Sequence, residues 1–249
     1  MATSDERRRI AIEGGLVRLE RTVIEREART EDFLAEIARM QPVDTGVLPE
    51  GCMLMARRCD AQKRCSNLYV IERAPGMQRI HFNGDPGAED DAEDSNAAHE
   101  VVELNLSWPR TLWICRTSQA AAEAAIVVTD LWVVAVKTSV RETERNTPIF
   151  CLPMPNIYHE GHGAICMGNL SVGNCENPLA DRIDAAIHGV LDSAWNTDLM
   201  PEFERLEIAS LADWAEKSAA DPAFHRQITY QPHRQATLGG LLLHLAPSP

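Results

Sequence analysis

The residues best equipped for chemistry lie together in Pro155-Asn156-Ile157-Tyr158-His159-Glu160-Gly161-His162-Gly163-Ala164-Ile165-Cys166. A thiolate is a strong nucleophile toward activated acyl groups, and the thioester it forms still reacts with amines. Pro153 and Pro155 stiffen the entry to the segment. Gly161, Gly163, Gly168 and Gly173 permit positive φ and close backbone approach. Ile165 and Met167 flank the thiol with apolar anchors. A cysteine framed in this way is expected to be exposed without being mobile. Backbone N–H groups, and His159 or His162, would favour its thiolate. Asn156, directly after Pro155, reads at minimum as an Asx-turn residue.

The same segment invites a zinc reading, through His159 and His162 with Cys166, Cys175 or Cys151. His-x-x-His in a glycine loop without a Cys-x-x-Cys pair is not a standard site. No metal and no cofactor are therefore expected. Cys175 is the rival nucleophile, but it lacks the Pro-Asn lead and the Ile-Cys-Met setting. Cys115 and Cys151 read as core residues in apolar strands. Cys59 and Cys65 belong to a basic stretch with Arg57, Arg58, Lys63 and Arg64 that reads as a surface turn.

Seven cysteines is an odd number, and their spacings show no disulfide framework. Met1 to Glu13 is polar and Arg-rich, so no signal peptide is read there. No apolar run approaches the ~18 residues of a membrane span. The expectation is a cytoplasmic protein with free thiols and no membrane partner. The net charge of −13 argues against general nucleic-acid binding, which needs surplus Lys and Arg. Asp85, Glu89, Asp90, Asp91, Glu93 and Asp94 fall within residues 84–99, a stretch with no Lys or Arg, which reads as a solvated acidic loop.

The elements that must hold the cysteine follow from periodicity. Residues 5–40 are expected to be helical: Leu16, Leu19 and Val23 share a face, as do Phe33, Ile37 and Met40. Gly14-Gly15 and Thr30 would break that region into pieces. Strands are expected at 52–57, 68–72, 78–82, 100–106, 111–116, 126–136 and 149–152, where β-formers concentrate. Ala74-Pro75-Gly76 would turn the second of these into the third as a hairpin. Trp108, Trp113 and Trp132 mark a core. A long irregular loop follows to residue 177, then helices at 181–195 and 203–220, with the tail from 228 unassigned. The order is that of an α+β fold.

At this point the active segment resembles a known family. Pro155-Asn156-Ile157-Tyr158, then Gly161, then Ile165-Cys166, is similar to the active-site segment of ubiquitin-conjugating enzymes. That segment reads His-Pro-Asn-(Ile/Val)-Tyr, a Gly-containing turn, then (Ile/Val)-Cys. Pro178-Leu179 leading into Ile183, Ile187 and Leu191 resembles the Pro-initiated helix after the catalytic cysteine. Two departures stand out. Met154 occupies the place of the family's His, and the Asn-to-Cys spacing is longer by about two residues. Both fit the divergent bacterial branches, and Leu68 to Pro75 followed by Arg79-Ile80-His81-Phe82 looks like the early hairpin of such members.

The resemblance implies a ubiquitin-conjugating (UBC-like) fold: N-terminal helices (1–42), a catalytic domain (43–225) with an antiparallel meander and the acidic loop, and a C-terminal tail (226–249). It implies that Cys166 accepts a ubiquitin-like protein from an adenylating enzyme and passes it to a lysine of a protein substrate, in a bacterial conjugation system of the kind used in antiviral defence. It gives Asn156 the role of oxyanion donor or loop brace, and Tyr158, His159 and His162 supporting roles. Asp192 or Asp198 could position the acceptor lysine. Two other readings compete: a non-catalytic member of the fold that only binds a ubiquitin-like partner, and a cysteine hydrolase of another fold, which would need a His base and an orienting Asp or Asn.

Overall fold

The computed structural model describes residues 7–13, 16–22, 48–59, 65–87, 101–120, 126–139, 146–158, 163–167, 179–196, 199, 201 and 203–245. The chain divides into two compact units, residues 1–48 and 49–249. In the first, β1 (Arg7–Glu13) and β2 (Leu16–Thr22) form an antiparallel pair with Ile10 opposite Leu19 and Ile12 opposite Val17. The helix expected over these residues is thus corrected to strands. Ile10 and Ile12, then Val17 and Leu19, recur at period two, with the small Ala11 and the polar Arg18 between them. The two residues between the strands are Gly14-Gly15, a tight-hairpin dipeptide. The helical expectation for 23–42 lies outside the described residues.

In the second unit the main sheet is built from β3 (Cys52–Cys59), β4 (Cys65–Arg73), β7 (Thr111–Gln119), β8 (Val127–Ala135), β9 (Pro148–Phe150), β10 (Ile157–Tyr158), β11 (Ala164–Ile165) and β13 (Pro232–Thr237). Its spatial order is β10-β11-β8-β7-β4-β3, with β9 pairing β8 and β13. Every pairing is antiparallel. β4, β7 and β8 are apolar on both faces, as strands covered on both sides must be. Tyr69, Ile71, Trp113, Cys115, Leu131 and Val133 point to one face, packing with α1 (Leu179–Asp192) and α2 (Leu211–Ala220). Leu68, Val70, Leu112, Ile114, Trp132 and Val134 point to the other, where α3 (Leu238–Leu245) lies. The three expected tryptophans are all buried, but they fall on opposite faces: Trp108 and Trp113 with the first cluster, Trp132 with the second.

β5 (Gly76–Asn83), β6 (Val101–Trp108) and the short β12 (Ala194–Trp195) form a separate sheet in the order β12-β5-β6. The expected 68–72/78–82 hairpin is therefore corrected. β4 pairs with β3 and β7, whereas β5 pairs with β6. Ala74-Pro75 turns the chain out of one sheet and into the other instead of folding it back on itself. The fold is α+β with antiparallel sheets, as expected at that level, apart from the short parallel pairing of β12 with β5.

The tail is not loose. β13 pairs with β9, and Leu238, Leu241 and Leu245 bury themselves on the second face. Arg116 fixes the end of α3: its Nη2 donates to the Leu245 carbonyl at 2.8 Å, and its guanidinium lies 4.7 Å from the Trp132 ring centre. The expectation of free thiols throughout also needs correction. Cys65 is disulfide-bonded and buried, and Cys59 lies opposite it in the β3–β4 register.

α2 is clipped to the edge of β6 by a polar knot. The Ser107 N–H donates to Ser218 Oγ at 2.8 Å, the Ser107 hydroxyl donates to the Pro222 carbonyl at 2.7 Å, and His225 Nδ1 lies 2.9 Å from Ser107 Oγ. Burial lowers the His225 pKa, helped by Arg226, against a smaller opposing pull from Asp221. A base with a depressed folded pKa protonates first in the unfolded chain. Its contribution is therefore full above the unfolded pKa of ~6.5 and is lost as pH falls from there through the folded pKa. The thermal midpoint should drop more between pH 7.5 and pH 5.5 in the wild type than in His225→Gln. Equal drops would remove His225 as the cause.

Candidate active site

The segment around Cys166 is built inward from two buried anchors. Ile157 and Ile165 are buried and sit opposite each other, with Tyr158 opposite Ala164, in the two-residue β10–β11 ribbon. The ribbon is sewn to the main sheet at one place. Ala164 pairs with Trp132, and the Val133 N–H donates to the Gly163 carbonyl at 3.0 Å. Gly163 also donates to the Tyr158 carbonyl at 3.2 Å, and its φ of +79° is one that glycine adopts freely. Cys166 leaves the ribbon directly after Ile165 and is exposed. It is framed as expected, an exposed thiol beside a buried residue.

Asn156 comes back beside it. The Cys166 N–H donates to the Asn156 carbonyl at 2.9 Å. Asn156 has φ of +59°, the left-handed region that Asn tolerates better than most residues. Its side-chain Oδ1 accepts from the Asn196 N–H at 3.4 Å. With that oxygen engaged, the donor end of the carboxamide faces away from Asn196. Asn196 follows β12, whose Trp195 is buried opposite Phe82 of β5. Asn196 was not singled out for chemistry by its sequence. Ser193 to Asn196 reads there only as a packing anchor, and a backbone N–H leaves no compositional trace.

Met154, in the position the resemblance gives to a His, is fully buried in the first core cluster. Its N–H donates to the Leu152 carbonyl at 2.9 Å. The entry to the loop is thus held by apolar packing in place of a polar side chain. Tyr158 is 45% exposed, which puts its ring at the surface of the ribbon and not in the core. His159, His162, Cys175 and Asp198 lie outside the described residues. Asp192 ends α1 and is exposed. Among the described residues, no group of three His, Cys, Asp or Glu is placed to hold a metal, and no helix is long and apolar enough to cross a membrane.

The other free thiols differ from Cys166 in environment. Burial pushes the thiol pKa of Cys52 and Cys151 up. Burial also raises that of Cys115, and the Asp130 carboxylate adds to it. A raised pKa means little thiolate and slow reaction. An aromatic disulfide reagent should therefore modify Cys166 early and Cys115 only on unfolding. Cys166→Ala should remove one of the fast-reacting thiols; an unchanged fast phase would show that Cys166 is shielded in solution.

Comparison with protein-family models, with curated proteins and with solved structures finds no match to this chain.

Proposed function

We propose that the protein is a ubiquitin-conjugating-like transferase that carries a ubiquitin-like protein as a thioester on Cys166 and passes it to a lysine amine. The observation that carries this reading is the pairing of Cys166 with Asn156. An exposed thiol is tied through its own N–H to an asparagine whose side-chain oxygen is held from behind. The order of chemistry follows from the groups. The thiolate attacks the activated C-terminal carbonyl and the adenylate leaves. An amine then attacks the thioester carbonyl, negative charge collects on the carbonyl oxygen, and the thiolate departs. A fixed carboxamide N–H near that oxygen stabilises it without reorganising. The apolar anchoring of Ile157, Ile165 and Met154 keeps donor and thiol in one geometry.

The direct test mixes the protein with its cognate adenylating enzyme, the ubiquitin-like protein and ATP. The expected product is a higher-mass adduct that thiol reductant removes and that Cys166→Ala does not form. No adduct with the wild type would sink the proposal. An adduct retained by Cys166→Ala would move the activity to another cysteine.

A further inference from the structure

β5 is only half covered along its outer edge. The Ser107 N–H points to Ser218 and so away from β5, which makes Ser107 and its partner Met77 a non-hydrogen-bonded pair. Antiparallel alternation then turns the N–H and C=O groups of Met77, Arg79 and His81 to the outer edge of β5. β12 pairs there with His81 and Phe82 alone. The rest of the edge has no strand partner among the described residues. The Arg79 carbonyl takes its hydrogen bond from the neighbouring Gln78 side chain, at 2.8 Å.

Beside this open half lies a cleft of about 310 Å³. Its apolar wall is Trp108, Trp113, Ile187 and Leu191, and Met77 stands at its mouth, 46% exposed. A Cβ added to Gly76, which also lines the cleft, would meet nothing within 4 Å. The ionisable side chains lining it are Arg73, His188 and Asp192. Arg73 is engaged by Asp184 at 2.6 Å. Asp192 has no salt bridge among the described residues, and it sits at the negative end of α1, whose last turn carries no basic residue.

We propose that this edge and cleft bind an extended segment of another protein as an added strand, with one apolar side chain in the cleft and a lysine or arginine beside Asp192. Main-chain bonds to Met77 and Arg79 would supply the strand pairing, continuing an edge that β12 already uses in the same way. The tryptophan wall would accept the alternate side chain. Asp192 together with the carbonyl end of α1 selects a cation, and because it lines the same cleft as the apolar wall, the partner's basic and apolar residues stand two apart, on one face of the added strand. The proposal is independent of the role of Cys166.

The test uses the full chain, isotope-labelled, and the end-capped hexapeptide Ser-Leu-Ser-Lys-Ser-Leu, whose leucines and lysine share one strand face. Titration should shift the Met77 and Arg79 amide signals and slow their hydrogen exchange. Gly76→Phe fills the cleft and should weaken binding about tenfold. Met77→Pro removes an outward N–H that β6 does not use, and should have a similar effect if Gly76→Phe fails to fold. Asp192→Asn should weaken binding several-fold and flatten its salt dependence. The proposal is overturned by absence of binding, by equal binding of the same hexapeptide with glutamate in place of lysine or of a backbone N-methylated one, or by unchanged affinity in both Gly76→Phe and Met77→Pro.

Discussion

Asn156→Ala is expected to form the Cys166 thioester but to discharge it to an amine about 10²–10³-fold more slowly, the usual cost of losing one oxyanion donor. The expectation follows from where the carboxamide is held. Its Oδ1 accepts from the Asn196 N–H, so the Nδ2 end is left to donate. The backbone of the same residue accepts from the Cys166 N–H. Asn156 therefore acts in two ways, and alanine confounds them, because alanine is strained at a φ of +59°. Asn156→Gly separates the two: it keeps the backbone conformation and deletes the donor. If discharge is slow in both variants while thioester formation persists, the donor is what matters. If glycine restores discharge, Asn156 serves only as a backbone brace for the loop. Asn156→Asp adds a third point, since it preserves an acceptor for Asn196 and removes the donor.

The local backbone around Asn156 and Cys166 was more legible than the frame around it. The Pro155-Asn156 and Ile165-Cys166 pairs carry their meaning locally: proline stiffens, asparagine tolerates positive φ, and an isoleucine beside a cysteine pins it. Those properties survive in almost any fold, and the structure places the thiol and Asn156 together. The strands 111–119 and 127–135 were equally plain, because both faces are apolar and β-formers dominate. The strands expected at 68–72 and 78–82 were found, within β4 and β5, but their partners were not. Turn residues specify a change of direction; which sheet a strand joins is decided by what covers it. Here the Trp108, Phe82 and Trp195 side of the small sheet closes over the first core cluster. Residues 7–13 and 16–22 departed from expectation for a different reason. Leu16 and Leu19 satisfy helical spacing, while Val17 and Leu19 satisfy strand spacing, and so short a segment fits both periods. Asn196 was invisible because its contribution is a main-chain N–H. The tail was unreadable because Leu241 to Leu243 and Leu245 make a short apolar run, whose length does not distinguish helix from strand.

Gly163→Ala should cause the second large effect, and it tests whether the ribbon must be fastened for Cys166 to work. At φ of +79° an alanine is strained, which alone costs about 1–3 kcal/mol. The new Cβ would also stand 2.5 Å from the Val133 carbonyl oxygen, a main-chain atom of the central sheet that cannot turn aside. Relief requires Gly163 and Val133 to separate, and that breaks the bond from the Val133 N–H to the Gly163 carbonyl. The ribbon would then hang from Ile157 and Ile165 alone. The expected result is a lower urea midpoint with an unchanged slope, together with loss of thioester formation although Cys166 is present. Gly76→Ala is the matched control. That glycine has open space around its Cβ, so the substitution should stay within about 0.5 kcal/mol of the wild type and keep thioester formation. If both alanine variants behave alike, the attachment at Val133 is not what orders the loop. If only Gly163→Ala loses the adduct while its Cys166 still reacts with a small thiol reagent, the lost element is geometry and not nucleophilicity, and the single seam between β8 and β11 is what presents the thiol beside Asn156.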